Sequence, residues 1–190
     1  MKRGTKIALA ILAGVVGLGV ISCMLVAVMI ATAGRVVARV GGSNPTRVAA
    51  VAERIAEFEL PEGYVADYAA EAAGFSIAAF KPTDGRGHII VAQTPSWVAV
   101  DRAEVEARLQ SAAGDKDEVT RLRVEEVREV MLRGAPVTVT VSRGEGSAGQ
   151  DFYQLLGVFE GKGGTAWLML VDEVESWDQV EIDAFIGSIE

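Results

Sequence analysis

The sequence predicts an α+β fold: an N-terminal transmembrane helix followed by a mostly antiparallel sheet flanked by helices. Three observations predict it. Residues 7–34 form a run of 28 without a charged side chain. Further on, short segments of alternating or continuously apolar residues are punctuated by Gly-rich turns, the pattern of paired strands. Capped segments with one-sided apolar stripes bracket those strands, so helices pack on the sheet.

The uncharged run comes first. At about 1.5 Å per residue it extends roughly 40 Å, enough to cross a hydrocarbon core of about 30 Å with tilt. A cleaved signal peptide has an apolar core of only about 7–15 residues, so the length favours an uncleaved anchor. Cys23, the single cysteine, ends "VISC" and is a candidate lipidation site. The residues after it, "MLVAVMI", stay apolar, which fits a span better than a lipidated N-terminus. Lys2, Arg3 and Lys6 precede the span and Arg35 and Arg39 follow it. The short basic tail favours a cytoplasmic N-terminus with the domain outside. Ala10/Gly14 and Ala13/Gly17 have the small-xxx-small spacing that permits close helix pairing. The expected organisation is an anchor over 1–40, a linker over 41–47 and an α+β extracytoplasmic domain over 48–190.

Asn44 and Pro45 open the domain as a cap and first helical residue, and Val48, Val51, Ala52 and Ile55 share one stripe. "LPEGY" ends that helix. "YVADYAAEAAGFSIAAFKP" and "HIIVAQTP" read as strands separated by a turn at residues 83–87, although the Ala-rich stretch 69–73 also suits a helix. Asp101 with Glu104 forms a capping box, and Val100 and Val105 form a hydrophobic staple. A helix with Val105 and Leu109 on its buried side follows, ended by Gly114. Residues 137–141, "VTVTV", alternate strictly as a strand. "RGAP" is the turn before it, and residues 122–132 form its hairpin partner with a bulge near Glu125-Glu126. Residues 152–159 and 165–171 are apolar on both faces, as in central strands covered on both sides. Ser176 and Gln179 cap a last helix whose stripe is Ile182, Phe185, Ile186 and Ile189.

Between the two central strands lies "EGKGG", residues 160–164. A phosphate-binding Walker loop needs four residues between its first Gly and the Gly-Lys pair, then Ser or Thr, then a helix. Here three residues separate Gly157 from Gly161, Gly163 follows the lysine, and a strand comes next. The segment is predicted to be a hairpin turn. No cofactor motif appears elsewhere.

Charge excludes one class of partner. Beyond residue 39 there are 13 basic and 26 acidic residues, a net charge of −13. Such a body repels nucleic acid, whose binding depends on neutralising phosphate. His88, the only histidine, has no triad partner in sequence and reads as a strand-edge residue. The acidic run Asp172, Glu173, Glu175, Asp178, Glu181 and Asp183 lacks the spacing of a calcium loop and reads as a solvated helix start. Trp167 belongs to a core strand. Trp97, in a loop, and Trp177, at a helix start, are the candidates for a partner surface, since exposed aromatic residues dominate binding hot spots.

"IAEFELPEGY", "LLGVFEGKGG" and "ESWDQVEIDAFIGSI" resemble segments of uncharacterised bacterial single-span membrane proteins, and the layout over residues 48–190 resembles the PsbP-like α/β/α sandwich. The resemblance implies a fold and an accessory role, and assigns no site residue. The expected function is a non-enzymatic binding or accessory module, single-pass in a bacterial inner membrane. Its expected partners are the bilayer, through residues 7–34, and another membrane protein. Two rivals stand beside it: a hydrolase or metal-dependent enzyme with carboxylates assembled by folding, and a lipid or small-molecule carrier.

Overall fold

The chain divides into two units, Met1–Arg39 and Val40–Glu190. The structure, a computed structural model, describes residues 42–83, 87–98, 122–146 and 149–190, all in the second unit. The anchor at 7–34, Cys23, the turn at Asp84-Gly85 and the helix opened by Asp101 lie outside the described residues. Among the described residues no helix is long and apolar enough to cross a membrane.

Elements follow in the order α1 (Pro45–Ile55), β1 (Tyr64–Ala72), β2 (Phe75–Pro82), β3 (His88–Gln93), β4 (Arg123–Leu132), β5 (Ala135–Glu145), β6 (Asp151–Glu160), β7 (Thr165–Glu173) and α2 (Gln179–Gly187). The seven strands form one sheet, ordered β1-β2-β3-β7-β6-β5-β4, with every neighbouring pair antiparallel. Two meanders thus meet where β3 pairs with β7, Ile89 opposite Leu170 and Val91 opposite Leu168.

Local chemistry explains the turns. Ala73 and Gly74 join β1 to β2 with φ of 50° and 85°, and Arg133 and Gly134 join β4 to β5 with φ of 51° and 72°. Two successive positive φ values give the turn whose twist matches that of the flanking strands. The Ala-rich stretch is therefore strand and turn, and what reads as a single apolar segment from 64 to 82 is a hairpin. The bulge expected near Glu125-Glu126 is present between Val124 and Glu126. Asn44 caps α1, its side chain accepting the Thr46 N–H at 3.0 Å. The cap of α2 differs from expectation: Asp178, not Ser176, accepts the Val180 and Glu181 N–H groups at 2.8 and 3.1 Å. A carboxylate at that position also complements the helix dipole.

The expected α/β/α sandwich is overturned. Val48, Val51 and Ile55 of α1 and Ile182, Phe185 and Ile186 of α2 belong to one core, shared with Ile89, Val91, Val139, Leu155, Leu168 and Leu170. Both described helices therefore lie on one face of a sheet-dominated domain. Phe58 joins them, edge-on to Phe80 at 5.8 Å and to Phe185 at 5.6 Å. Large branched side chains on that face give both stripes something to interlock with. The opposite face carries a smaller cluster, Ile77, Ala92, Val158 and Trp167, with Tyr68, Ala70 and Ile90 packed against it.

Candidate functional site

Antiparallel pairing brings the β1–β2, β4–β5 and β6–β7 turns and the chain leaving β3 to one end of the sheet. The β6–β7 hairpin contains the glycines of "EGKGG". The Gly161 N–H bonds the Gly164 carbonyl at 2.8 Å, the Lys162 N–H bonds the Ile55 carbonyl at 2.9 Å, and the Gly163 N–H bonds the Gln93 side chain at 2.9 Å. Those three amides are committed to the fold, so they do not converge on an anion. Lys162 Nζ pairs with Glu57 at 2.5 Å, and that contact holds the Glu57 carboxyl below its ordinary range. Gly164, at φ 152°, sits so close to the Thr94 carbonyl that a Cβ would come within 2.2 Å of its oxygen. The glycines let the hairpin close against the chain leaving β3.

That closure holds the loop carrying Trp97. Thr94 donates its N–H to the Thr165 carbonyl at 2.9 Å, and the Val98 N–H closes a turn onto the Pro95 carbonyl at 2.9 Å. From the side, Gly74 approaches Pro95 so closely that a Cβ would meet its ring carbon at 3.0 Å. Trp97 projects from this support with 74% of its surface exposed. Its ring stands edge-to-face with Phe75, centroids 6.4 Å apart and planes at 85°. An edge-to-face pair contributes about 0.5–1.5 kcal/mol beyond area burial, enough to bias the indole toward one orientation.

No charged residue occurs in residues 72–80 or 89–98, whereas the third segment of this corner, the β6–β7 hairpin, carries Glu160 and Lys162. The nearest acid in sequence, Glu71, is paired with Arg54 at 2.9 Å. Phe75 and Trp97 thus sit in two uncharged stretches of an acidic chain.

Trp177 behaves differently. Its ring packs on Tyr153 with centroids 5.1 Å apart, against the main core, and its Nε1–H donates to Gln179 Oε1 at 3.1 Å. That indole serves the junction between α2 and the sheet. Trp167 is buried in the smaller cluster.

The acidic run is distributed over separate structural contacts. Asp172 is buried and accepts the Tyr64 hydroxyl at 3.0 Å and the Glu173 N–H at 2.8 Å. Burial, and then the Asp172 charge, push the Tyr64 phenol above its ordinary pKa. Asp178 caps α2, Glu181 accepts the Glu62 N–H at 2.9 Å, and Asp183 pairs with Arg128. Among the described residues no group of three His, Cys, Asp or Glu is placed to hold a metal. His88 is exposed at the start of β3, opposite Val171.

Sequence reasoning missed Phe75 and the glycine contacts that support Trp97. The signal was the pair of uncharged segments in a chain that is 23% charged. It also missed the edge strand β4, where Val127 and Met131 are 60% and 58% exposed. No protein-family model and no curated protein matches this chain.

Proposed function

We propose that the protein is a non-enzymatic binding module, tethered to a bacterial inner membrane by residues 7–34 and displaying its domain outside the cytoplasm. One observation carries the binding reading: Trp97 is held out of the core on a support built from Phe75, Pro95, Gly74 and Gly164. A tryptophan left exposed by an imprecise fold would not need glycines at two close approaches to seat its loop. Binding surfaces concentrate energy in such rigid aromatic anchors, which lose little side-chain freedom on contact. The tether restricts the search to the vicinity of the membrane and raises the effective concentration of anything already there.

The test is photo-crosslinking in native membranes with the full chain. A benzophenone amino acid replaces Trp97 in one variant and Trp177 in another. The proposal predicts adducts, to lipid or protein, from position 97 and none above background from position 177. Equal or absent crosslinking from the two positions would contradict it.

A further inference from the structure

We infer that the outer edge of β4, over Val127–Met131, accepts an added β-strand from another protein: an extended segment with Lys or Arg facing Glu129 and apolar residues facing Val127 and Met131. This surface is separate from the Trp97 corner, because β7, β6 and β5 lie between β3 and β4.

Backbone geometry comes first. A two-residue hairpin loop closes with its flanking residues exchanging both backbone hydrogen bonds. Bonded residues then alternate with residues whose N–H and C=O point the other way. Arg133-Gly134 is such a loop, with Leu132 opposite Ala135. Leu132, Val130 and Arg128 therefore bond β5, and the N–H and C=O groups of Met131, Glu129 and Val127 point outward. The same count from the Ala73-Gly74 loop turns Glu71 and Ala69 of β1 outward at the opposite edge. There the outward groups are in use: Ala69 donates to the Gly42 carbonyl and accepts the Gly42 N–H, both at 3.1 Å. One edge thus already carries an added segment. β4 is the last strand at the other edge, and among the described residues no backbone group bonds Val127, Glu129 or Met131 from outside.

The open stretch has definite ends. The bulge between Val124 and Glu126 bounds it on one side. On the other, the Arg133 N–H is taken by the Ile189 carbonyl at 3.0 Å. A row of donors and acceptors that repeats every second residue is matched by another strand.

Side chains select which strand. Val130 and Leu132 face the main core, so Val127, Glu129 and Met131 share the opposite face, and all three are exposed. Arg128, the neighbouring base, is on the core side and pairs with Asp183. The row therefore reads apolar, acidic, apolar. A second copy of the chain does not suit it. Two β4 edges paired about a two-fold, with all three outward residues engaged, set Glu129 against its own counterpart. Like charges directly opposite are destabilising, and the net charge of −13 beyond residue 39 adds to the repulsion. An acidic edge thus blocks self-pairing and stays open to a basic strand.

The probe is a fluorescein-labelled peptide, Thr-Val-Thr-Lys-Thr-Val-Thr, titrated with the full chain in neutral maltoside micelles and read by anisotropy. Binding should be saturable and at least about threefold tighter than for the same peptide with Glu in place of Lys, the size of a cross-strand charge reversal. Glu129→Lys in the chain should invert that preference, which attraction to the acidic domain as a whole would not do. Methylating the Val and Lys amides, which face β4, should weaken binding about tenfold or more, whereas methylating the Thr amides should not. Trp97→Ala should leave these readings unchanged. Absence of saturable binding, a preference that does not invert, or equal loss from both methylated peptides overturns the inference. Sedimentation of the chain as a dimer that the probe dissociates places a second copy on the edge and also overturns it.

Discussion

The two ends of this sheet are built on different terms. At the end away from Gly42, polar side chains are committed to bonds that hold the fold. Asp172 is 8% exposed and holds the Tyr64 hydroxyl, Asp178 caps α2, and Glu181 binds the Glu62 backbone. At the other end ion pairs such as Lys162–Glu57 and Arg54–Glu71 stay near the surface, glycines bring backbones into contact, and a large aromatic ring is left outside. The first end pays in desolvation for bonds that hold the fold. The second uses the fold to hold a side chain that contributes little to it. Function is to be sought where an expensive apolar group is exposed on a rigid support, and not where acidic residues are numerous.

Substitutions at the two ends sharpen the contrast. The largest effect is expected at Gly164→Ala, because the new Cβ would collide with the Thr94 backbone oxygen and the residue would keep a left-handed φ. A loss of about 3 kcal/mol or more in urea unfolding of the full chain is expected, the range of severe backbone strain and overpacking. A value under about 1 kcal/mol would mean that the hairpin does not close on β3 as described. Trp177→Ala should cost about 2–4 kcal/mol, since it removes packing on Tyr153 and the core.

At the acidic end, Tyr64→Phe removes one hydrogen bond from a buried carboxylate and should cost about 1–2 kcal/mol near neutral pH. The Arg128–Asp183 pair gives a smaller effect with a definite pH signature. The hydrogen bond from Arg128 holds the Asp183 carboxyl below its ordinary range. A depressed carboxylate contributes stability above its unfolded pKa and loses that contribution as pH falls through the folded value. Asp183→Asn should therefore flatten the acid limb of the stability profile below about pH 4. Because both partners are partly exposed, the change should stay under about 1 kcal/mol. A steeper acid limb in the variant would show that the pair does not stabilise the fold.

Periodicity made much of this domain legible. The stripe of α1, its Asn44 cap, the alternation of β5, the bulge opposite it and the turn character of the Gly-Lys-Gly-Gly segment all follow from local chemistry. Which side of the sheet a helix covers does not follow: a stripe names the residues that become buried but not the face that receives them. The two helical layers were implied by the resemblance of layout to an α/β/α sandwich, whereas both described helices pack on one face. Ala73 hid the β1–β2 turn, since an L-residue at positive φ carries no signature in composition. Ser176 looked like the cap of α2 because Gln179 stands three residues on, yet Asp178 offers the better acceptor for the first free amides. The candidate site was half legible. Trp97 stood out as a loop tryptophan, but Phe75 and the two glycine contacts emerge only when the strands are paired.

The account turns on whether Trp97 is carried for a partner or for the fold. The most direct measurement is the urea-unfolding free energy of Trp97→Ala beside that of Trp177→Ala, both in the full chain. The account predicts a loss of no more than about 1.5 kcal/mol for Trp97→Ala, the range of its edge-to-face contact with Phe75, against the several lost at Trp177. A loss of about 2 kcal/mol or more at Trp97 would make it a packing residue and contradict the binding corner.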